Sequence, residues 1–187
     1  MKKLEDEKII DLFFKRSENA ITELSQKYGQ LCMTVSVNIL GNTEDAEECV
    51  NDSYLGIWNA IPPHKPDNLT AFLCRIVRNL SLKRCSHNSA EKRKSNYGVC
   101  IDELDECLPS ENTVESELEL NELSGTLDNF ISQLDKTNRF LFVRRYWFMD
   151  SYESLSKATG IKEQAIRTRL SRIRSNLKKF LAEQGVF

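Results

Sequence analysis

The stretch from Asp150 to Leu181, DSYESLSKATGIKEQAIRTRLSRIRSNLKKFL, has the pattern of two helices joined by a tight turn. Asp150 and Glu153 have the spacing of a capping box, which predicts that the Asp150 side chain caps the first helix. Gly160 follows that helix where the backbone must turn left-handed, a conformation that glycine adopts without a steric penalty. The stretch therefore predicts a helical hairpin with Gly160 at its turn.

The second predicted helix has one apolar face and one basic face. Its apolar residues recur at helical spacing, so they form a stripe that can pack on Leu155, Ala158 and Ile161. The stripe consists of Ile166, Leu170, Ile173 and Leu177. Small polar side chains point the other way, and arginines flank them. These outward residues are Gln164, Thr168, Ser171, Ser175, Arg167, Arg172 and Arg174.

Such a face suits a helix that lies in the major groove of DNA. Its amide and hydroxyl groups can meet base edges while its arginines meet guanine or phosphate. The alternative is a solvated basic face on an ordinary helical hairpin. The combination of a helix, a glycine turn and a basic helix favours DNA binding.

The composition indicates a helical protein. The chain has 187 residues, 40% of them hydrophobic, which suffices for one or two small domains with hydrophobic cores. Glycine (7) and proline (4) are scarce, and alternating runs of β-branched residues are almost absent. An all-α fold is therefore expected.

The net charge of −2 hides an alternation along the chain. Residues 61–97 carry 8 basic and 2 acidic groups, and residues 136–187 carry 12 and 4. Between them, residues 98–135 carry 11 acidic groups and no basic ones, and residues 1–60 have a net charge of −5. Two basic blocks separated by an acidic one suggest two nucleic-acid-facing surfaces, with acidic surfaces used for another purpose.

The cysteines give little support for a metal or redox site. They are Cys32, Cys49, Cys74, Cys85, Cys100 and Cys107. No CxxC pair occurs, and Cys85 with His87 makes only a lone CxH. Reduced thiols in a cytoplasmic protein are the favoured interpretation, with a zinc or redox site as the alternative. No catalytic residue, cofactor or metal site is predicted.

No targeting or membrane segment is predicted. The N-terminal sequence MKKLEDEKIIDLFFKR is amphipathic and acidic, so it does not have the pattern of a signal peptide. No apolar stretch approaches the roughly 18 residues that span a bilayer. A cytoplasmic protein without direct membrane insertion is expected.

Residues 1–86 are expected to fold as one helical domain. The sequence GNT at 41–43 is a stop-and-cap signal between two helices. The sequence PPHKP at 62–66 predicts a stiff, extended loop, because each proline fixes φ and disfavours a helical predecessor. A further helix is predicted to start at Thr70.

Residues 87–115 are polar and poorly periodic, which predicts a flexible linker. Residues 116–187 are expected to form a second helical domain that contains the hairpin. Asp135 is predicted to cap the next helix. That helix is expected to supply Phe140, Leu141, Val143, Tyr146 and Trp147 to the core of this domain.

Two predicted helices of the first domain carry charged faces. One presents an acidic and polar surface made of Asp45, Glu48, Asn51 and Asp52. The other, after the proline-rich loop, leaves Arg75, Arg78, Asn79, Lys83 and Arg84 on its outward side. Each face alone could be solvated surface. A basic helix beside a stiff loop is also a candidate surface for single-stranded DNA, whose phosphates it can track.

The chain resembles the bacterial sigma factors of the extracytoplasmic-function type, small two-domain members of the sigma-70 group. Three strings carry the resemblance in the order and spacing of that family. They are NTEDAEECVNDSYLGIWNAIP at 42–62, LTAFLCRIVRNLSL at 69–82 and SYESLSKATGIKEQAIRTRLSRIRSNLKK at 151–179. The resemblance implies two helical domains joined by a variable linker, the second a helix-turn-helix.

The resemblance also implies partners for these surfaces. The acidic helix would dock on the β′ clamp helices of core RNA polymerase through Asp45, Glu48, Asn51, Asp52, Tyr54 and Trp58. The loop and the basic helix would capture and melt the minus-10 element through His64, Lys65, Arg75, Arg78, Asn79, Lys83 and Arg84. The C-terminal domain would contact the β flap, and an anti-sigma factor is a further expected partner.

The helix-turn-helix would read the minus-35 element as duplex DNA. The residues at or near its recognition positions are Lys162, Gln164, Arg167, Thr168, Arg169, Ser171 and Arg172. Arg169 lies near the edge of the buried stripe, so a phosphate contact is expected there. Lys162 and Gln164 depart from the family pattern, and Lys162 is a poor helix cap.

The expected function is that of a promoter-specificity subunit of RNA polymerase, which is not an enzyme by itself. One rival is a stand-alone helix-turn-helix repressor or activator. It explains residues 150–181 but leaves the proline-rich loop and basic helix unexplained. The other rival is a redox- or zinc-responsive regulator built on the cysteines.

Overall fold

The computed structural model describes residues 4–87, 96–105 and 117–185. These ranges contain nine helices and no strand, which confirms the predicted all-α fold. The helices are α1 (Asp6–Phe14), α2 (Asn19–Leu40), α3 (Thr43–Ala60), α4 (Leu69–His87), α5 (Asn96–Asp105), α6 (Glu117–Gln133), α7 (Lys136–Tyr146), α8 (Tyr152–Thr159) and α9 (Glu163–Glu183). The chain divides into two units, Met1–Tyr97 and Gly98–Phe187.

In the first unit, α2, α3 and α4 pack on one another, and α1 packs on α2. Fully buried apolar side chains fill the space between the helices, among them Phe13, Leu24, Ile39, Ile57 and Leu73. The stop-and-cap signal at 41–43 forms as predicted. Gly41 has a φ of 79°, and the Asn42 Oδ1 atom accepts a hydrogen bond of 2.8 Å from the Asp45 N–H.

The proline-rich loop begins with a turn at residues 61–63 rather than in the extended form that was predicted. The His64 N–H donates to the Ala60 carbonyl at 3.0 Å, which closes the turn after α3. Helix α4 starts at Leu69, because the Asn68 Oδ1 atom caps it by accepting from the Ala71 N–H at 2.8 Å.

In the second unit, α9 packs on α6, α7 and α8. The predicted stripe is buried, as are Leu141 and Leu155. Gly160 has a φ of 71° after α8, as the sequence predicts. Asp135 caps α7, since its Oδ1 atom accepts from the backbone N–H groups of Thr137 and Asn138.

Asp150 does not cap α8, contrary to the prediction. The cap is Ser151, whose Oγ accepts from the Ser154 N–H at 3.1 Å. Asp150 is buried, and its carboxylate accepts a 2.6 Å hydrogen bond from Arg144 Nε. The backbone is left-handed at Met149, with a φ of 57°, so the chain turns just before Asp150.

The predicted core assignments are wrong at three positions: Phe140, Trp147 and Ala158 are exposed. Helix α7 buries Leu141 and Tyr146, as predicted, together with Phe142 and Arg145, which were not predicted as core. The segment is apolar around most of its circumference, so its periodicity did not define which face points inward.

Residues 96–105 were expected to belong to a flexible linker, but they form helix α5. Cys100 is buried there, and the Glu103 side chain bonds to residues of α7, α8 and α9. The rest of the predicted linker, at 88–95 and 106–115, lies outside the described residues.

Candidate nucleic-acid and protein interfaces

Helix α3 presents a polar face to solvent. Glu48, Asn51 and Asp52 are exposed, as predicted from their helical positions. Leu55 follows one turn later on the same side and is 59% exposed. The prediction omitted Leu55, although its spacing from Asn51 and Asp52 places it beside them. The face thus combines carboxylates with one apolar side chain, a composition suited to binding a basic or amphipathic protein surface.

Arg84 of α4 forms ion pairs with this acidic helix. Its Nη2 atom lies 2.5 Å from Asp45 Oδ1 and 2.8 Å from Glu48 Oε2. A hydrogen bond from Asn42, together with Arg84, holds the pKa of the Asp45 carboxyl below its usual value. The same carboxylates raise the pKa of Arg84. The structure therefore brings together residues that were predicted to bind two different partners.

Tyr54 and Trp58 are half-buried and make contacts inside the first unit. Burial raises the pKa of the Tyr54 hydroxyl. The Trp58 ring packs edge-on against Phe13, with 6.0 Å between centroids, and the Arg16 guanidinium lies 5.4 Å from its centre. Arg16 Nη1 also donates to the Trp58 carbonyl at 2.6 Å. Both aromatic residues thus border the exposed face rather than form its centre.

A stack of three flat side chains lies where the proline-rich loop meets α4. The His64 and Phe72 rings are 5.7 Å apart and nearly parallel, with 20° between their planes. The Arg75 guanidinium carbon lies 5.4 Å from the Phe72 centroid. His64 and Arg75 are exposed, as is Lys65 nearby. Phe72 was predicted only as core, so the sequence did not reveal this stack.

The remaining predicted residues of α4 fall on different sides of the helix. Asn79 and Lys83 are exposed and continue the line of Arg75 at four-residue spacing. Arg78 is half-buried, and burial lowers its pKa. Arg84 lies against α3. The structure thus brings together His64, Arg75, Asn79 and Lys83 as an exposed polar and basic surface, and sets Arg78 and Arg84 apart from it.

The outward face of α9 is exposed over its first three turns. The seven residues predicted at or near the recognition positions are all exposed: Lys162, Gln164, Arg167, Thr168, Arg169, Ser171 and Arg172. Lys162 precedes the helix and forms no side-chain cap, as predicted. Thr168 Oγ1 donates to the Gln164 carbonyl at 3.0 Å. With four cationic side chains among these seven, the face is suited to a phosphate backbone and a groove.

Arg174 is not on this outward face, contrary to the prediction. Its Nη1 atom donates to the Tyr146 hydroxyl at 2.6 Å and lies 3.5 Å from Glu103 Oε2. This arrangement could not be predicted from the sequence, because Glu103 lies 71 residues away and was assigned to a linker.

Five cysteines lie in the described part of the chain, and all are buried. Burial raises the pKa of Cys32 and that of Cys100 each to about 12. The described residues contain no group of three or more His, Cys, Asp or Glu side chains placed to hold a metal ion. Cys107 lies outside them. Among the described helices, none is long and apolar enough to cross a membrane.

Comparisons with known proteins found a family model, a curated relative and a solved structure that are similar to this chain. Residues 24–91 match the family model of sigma-70 region 2. A probable RNA polymerase sigma factor, RfaY of Xanthomonas campestris pv. campestris, is 23% identical over 177 residues, which are 89% of this chain. The chain spans 43% of the length of that relative. A solved structure of CnrH in complex with the cytosolic domain of CnrY has 18% identity and a TM-score of 0.44, covering 95% of this chain and 97% of that one.

Proposed function

Since residues 24–91 match the family model of sigma-70 region 2, we propose that this chain is a sigma factor, a promoter-specificity subunit of bacterial RNA polymerase. It binds core polymerase, recognises minus-35 and minus-10 elements, and helps to melt the promoter. The observation that carries the proposal is the stack of His64, Phe72 and Arg75, which lies inside the matched region and exposes His64 and Arg75. The resemblance to the extracytoplasmic-function type predicts this role for the same loop.

The stack provides a platform for an unpaired base. Stacking of one base on an aromatic side chain contributes about 1–3 kcal/mol, and flipping a base out of a duplex costs a few kcal/mol. The two are of similar size, so the platform can offset most of the cost of one flipped base. Arg75, Asn79 and Lys83 then follow the strand along α4, where cationic side chains can contact phosphates.

The polar face of α3 is the proposed docking surface for the β′ clamp helices. Glu48, Asn51 and Asp52 provide acceptors, and Leu55 provides an apolar contact among them. The ion pairs of Arg84 fasten α4 to this helix. Docking through α3 would therefore hold the proposed minus-10 surface at a fixed position in the complex.

The outward face of α9 is the proposed minus-35 surface. Arginine can make bidentate contacts with guanine, while Thr168 and Ser171 can contact either bases or phosphates. Arg169 is assigned to a phosphate contact. The second unit would also meet the β flap, and an anti-sigma factor that covers these surfaces would regulate them. A subunit of RNA polymerase that makes these contacts acts in the cytoplasm.

Reconstituted transcription tests this function. Purified protein and core polymerase are combined on genomic fragments, and run-off transcripts are compared with those of either component alone. Promoter-specific transcripts are expected only when both are present. Specific operator binding by the free protein, with no effect on core polymerase, would instead identify a stand-alone helix-turn-helix regulator.

A further inference from the structure

Glu103 of α5 occupies the centre of a polar cluster inside the second unit. Its Oε1 atom accepts from Arg145 Nη2 at 2.8 Å and from the Tyr152 hydroxyl at 2.9 Å. Its Oε2 atom accepts from the Tyr146 hydroxyl at 3.0 Å and from Arg145 Nε at 3.2 Å. Arg174 approaches the same oxygen at 3.5 Å. One carboxylate thus joins α5 to α7, α8 and α9.

The cluster is needed to neutralise a buried charge. Arg145 is only 1% exposed, and a buried guanidinium without an anion is strongly unfavourable. Arg145 Nη1 also donates to the Asp150 carbonyl at 2.8 Å, and the Cys100 thiol donates to the Arg145 carbonyl at 3.2 Å. Helix α5 is therefore held to the second unit by bonds that leave Glu103 in one defined position.

One member of the cluster reaches the outward face of α9. The Tyr152 ring is 8% exposed, and its hydroxyl is held by Glu103. The guanidinium carbon of Arg167 lies 3.9 Å from the centre of that ring. The Arg167 side chain is nevertheless 52% exposed, so its guanidinium is both supported by the ring and accessible to a ligand. A cation held over an aromatic face loses part of its rotational freedom before it binds.

We propose that Tyr152, held in place by Glu103, is a positioning residue for Arg167 in DNA recognition. Helix α5, which precedes the helical hairpin by some 50 residues, thereby helps to set how α9 contacts the minus-35 element. This inference rests on the proposed function, because it assigns Arg167 to DNA. It adds that the contact of Arg167 with DNA depends on Glu103, a residue of the predicted linker.

The test uses the holoenzyme of full-length protein and core polymerase on a promoter library randomised across the minus-35 element. Base preference at each position and the salt dependence of binding are measured for wild type and for Arg167→Ala. The change caused by Arg167→Ala defines the contribution of Arg167. A direct guanine contact would lower preference at one position by about fivefold or more, and a phosphate contact would reduce the salt slope by about one.

Tyr152→Leu removes the ring, and Tyr152→Phe removes only the hydroxyl. We expect Tyr152→Leu to reproduce the Arg167→Ala change in kind, at the same base position or in the same salt slope. The double variant should be no worse than Arg167→Ala alone. Tyr152→Phe should show the same change to a smaller degree, which keeps the test decisive if Tyr152→Leu fails to fold. Tyr146→Phe is the matched control, since Tyr146 also bonds to Glu103 but is not in ring contact with Arg167.

Three results would overturn the inference. Additive effects of Tyr152→Leu and Arg167→Ala would show that the two side chains act independently. An equal loss at every minus-35 position without the change in salt slope caused by Arg167→Ala, or the same profile for Tyr146→Phe, would show a structural role alone. An Arg167→Ala holoenzyme indistinguishable from wild type would show that Arg167 does not contact the element. Failure of the proposed function itself is seen earlier, as a wild-type holoenzyme without promoter-specific transcripts.

Discussion

At the scale of single residues, several side chains of this protein have surroundings that differ from those of an ordinary surface group. Glu103 is the clearest case. Burial by itself would raise the pKa of its carboxyl, but the hydrogen bonds and charge of Arg145 outweigh burial and hold the pKa below the ordinary value of 4.5. The tyrosine hydroxyls that donate to it act in the same direction.

Because the pKa of Glu103 is lowered, the stability of the second unit depends on pH. The folded state binds the proton more weakly than the unfolded state, so the stabilisation is present above pH 4.5 and is lost as pH falls toward the folded pKa. Glu103→Gln should lower the free energy of unfolding by roughly 3 kcal/mol at neutral pH, because it leaves Arg145 without its anion. Below pH 4.5 the two proteins should converge.

Urea denaturation in a Trp58→Phe background measures this effect, because Trp147 is then the only tryptophan and lies in the second unit. Other carboxylates contribute equally to both curves, so the difference between wild type and Glu103→Gln isolates Glu103. Parallel curves from neutral pH to pH 3 would contradict the assigned ion pair.

His64 supports a second prediction at this scale. Replacing His64 with alanine removes the exposed ring of the stack and should weaken holoenzyme binding to single-stranded minus-10 DNA by about tenfold, the effect of losing one stacked base. His64→Phe keeps a flat ring and should retain most of the affinity. Fluorescence anisotropy with a fork-junction probe measures both variants. Equal losses for alanine and phenylalanine would show that stacking is not the role of this position.

At the scale of helices, the features that the sequence predicted correctly are those that depend on residues close together in the chain. The caps at Asn42 and Asp135 and the turn at Gly160 were predictable, because their partners lie within a few residues. Helix α5 was not, since its polar sequence is stabilised by Arg145, 42 residues away. The buried face of α7 could not be predicted either, because the apolar residues of that helix lie on most of its sides.

The same limit applies to the candidate surfaces. Exposure of the α9 residues followed from one clear apolar stripe, so all seven were placed correctly on the surface. Arg84 and Arg174 were placed by the same periodicity but turn to acidic partners from other helices. A sequence pattern gives the direction of a side chain on its own helix, whereas the ion it meets depends on tertiary packing.

The exposed face of α3 leads to a prediction for polymerase binding. Asp52→Lys reverses an exposed charge that makes no ion pair with any residue that the structure describes. It should therefore leave the fold intact and weaken core binding at least about tenfold. Asp11→Lys makes the same charge change on the exposed side of α1 and serves as the matched control. Affinity for core polymerase, measured by fluorescence titration, should fall for Asp52→Lys alone. Equal affinities of the two variants would place the docking surface elsewhere.

At the scale of the whole molecule, the two units carry separate basic surfaces, one on α4 with the proline-rich loop and one on α9. Each surface is small, so neither is expected to give high specificity by itself. Most acidic residues lie in residues 1–60 and 98–135, and thus outside the two basic blocks of the sequence. Such a division suits a protein that holds DNA at two places and a protein partner at a third.

Transcription should therefore require both promoter elements together and should be sensitive to salt. Mutating either element should reduce initiation by at least about tenfold, and raising salt from 50 to 200 mM should weaken promoter binding by orders of magnitude. Initiation is measured on templates that differ only in one element. Full activity from a template that retains one element alone would show that the second surface does not bind promoter DNA.

The most direct measurement of the central claim is the map of transcript 5′ ends made on genomic DNA by core polymerase with and without this protein. We predict a discrete set of new start sites, each preceded by the same pair of sequence elements at a fixed spacing. These sites should disappear with Asp52→Lys and persist with Asp11→Lys. Start sites identical to those of core polymerase alone would contradict the assignment of this chain as a promoter-specificity subunit.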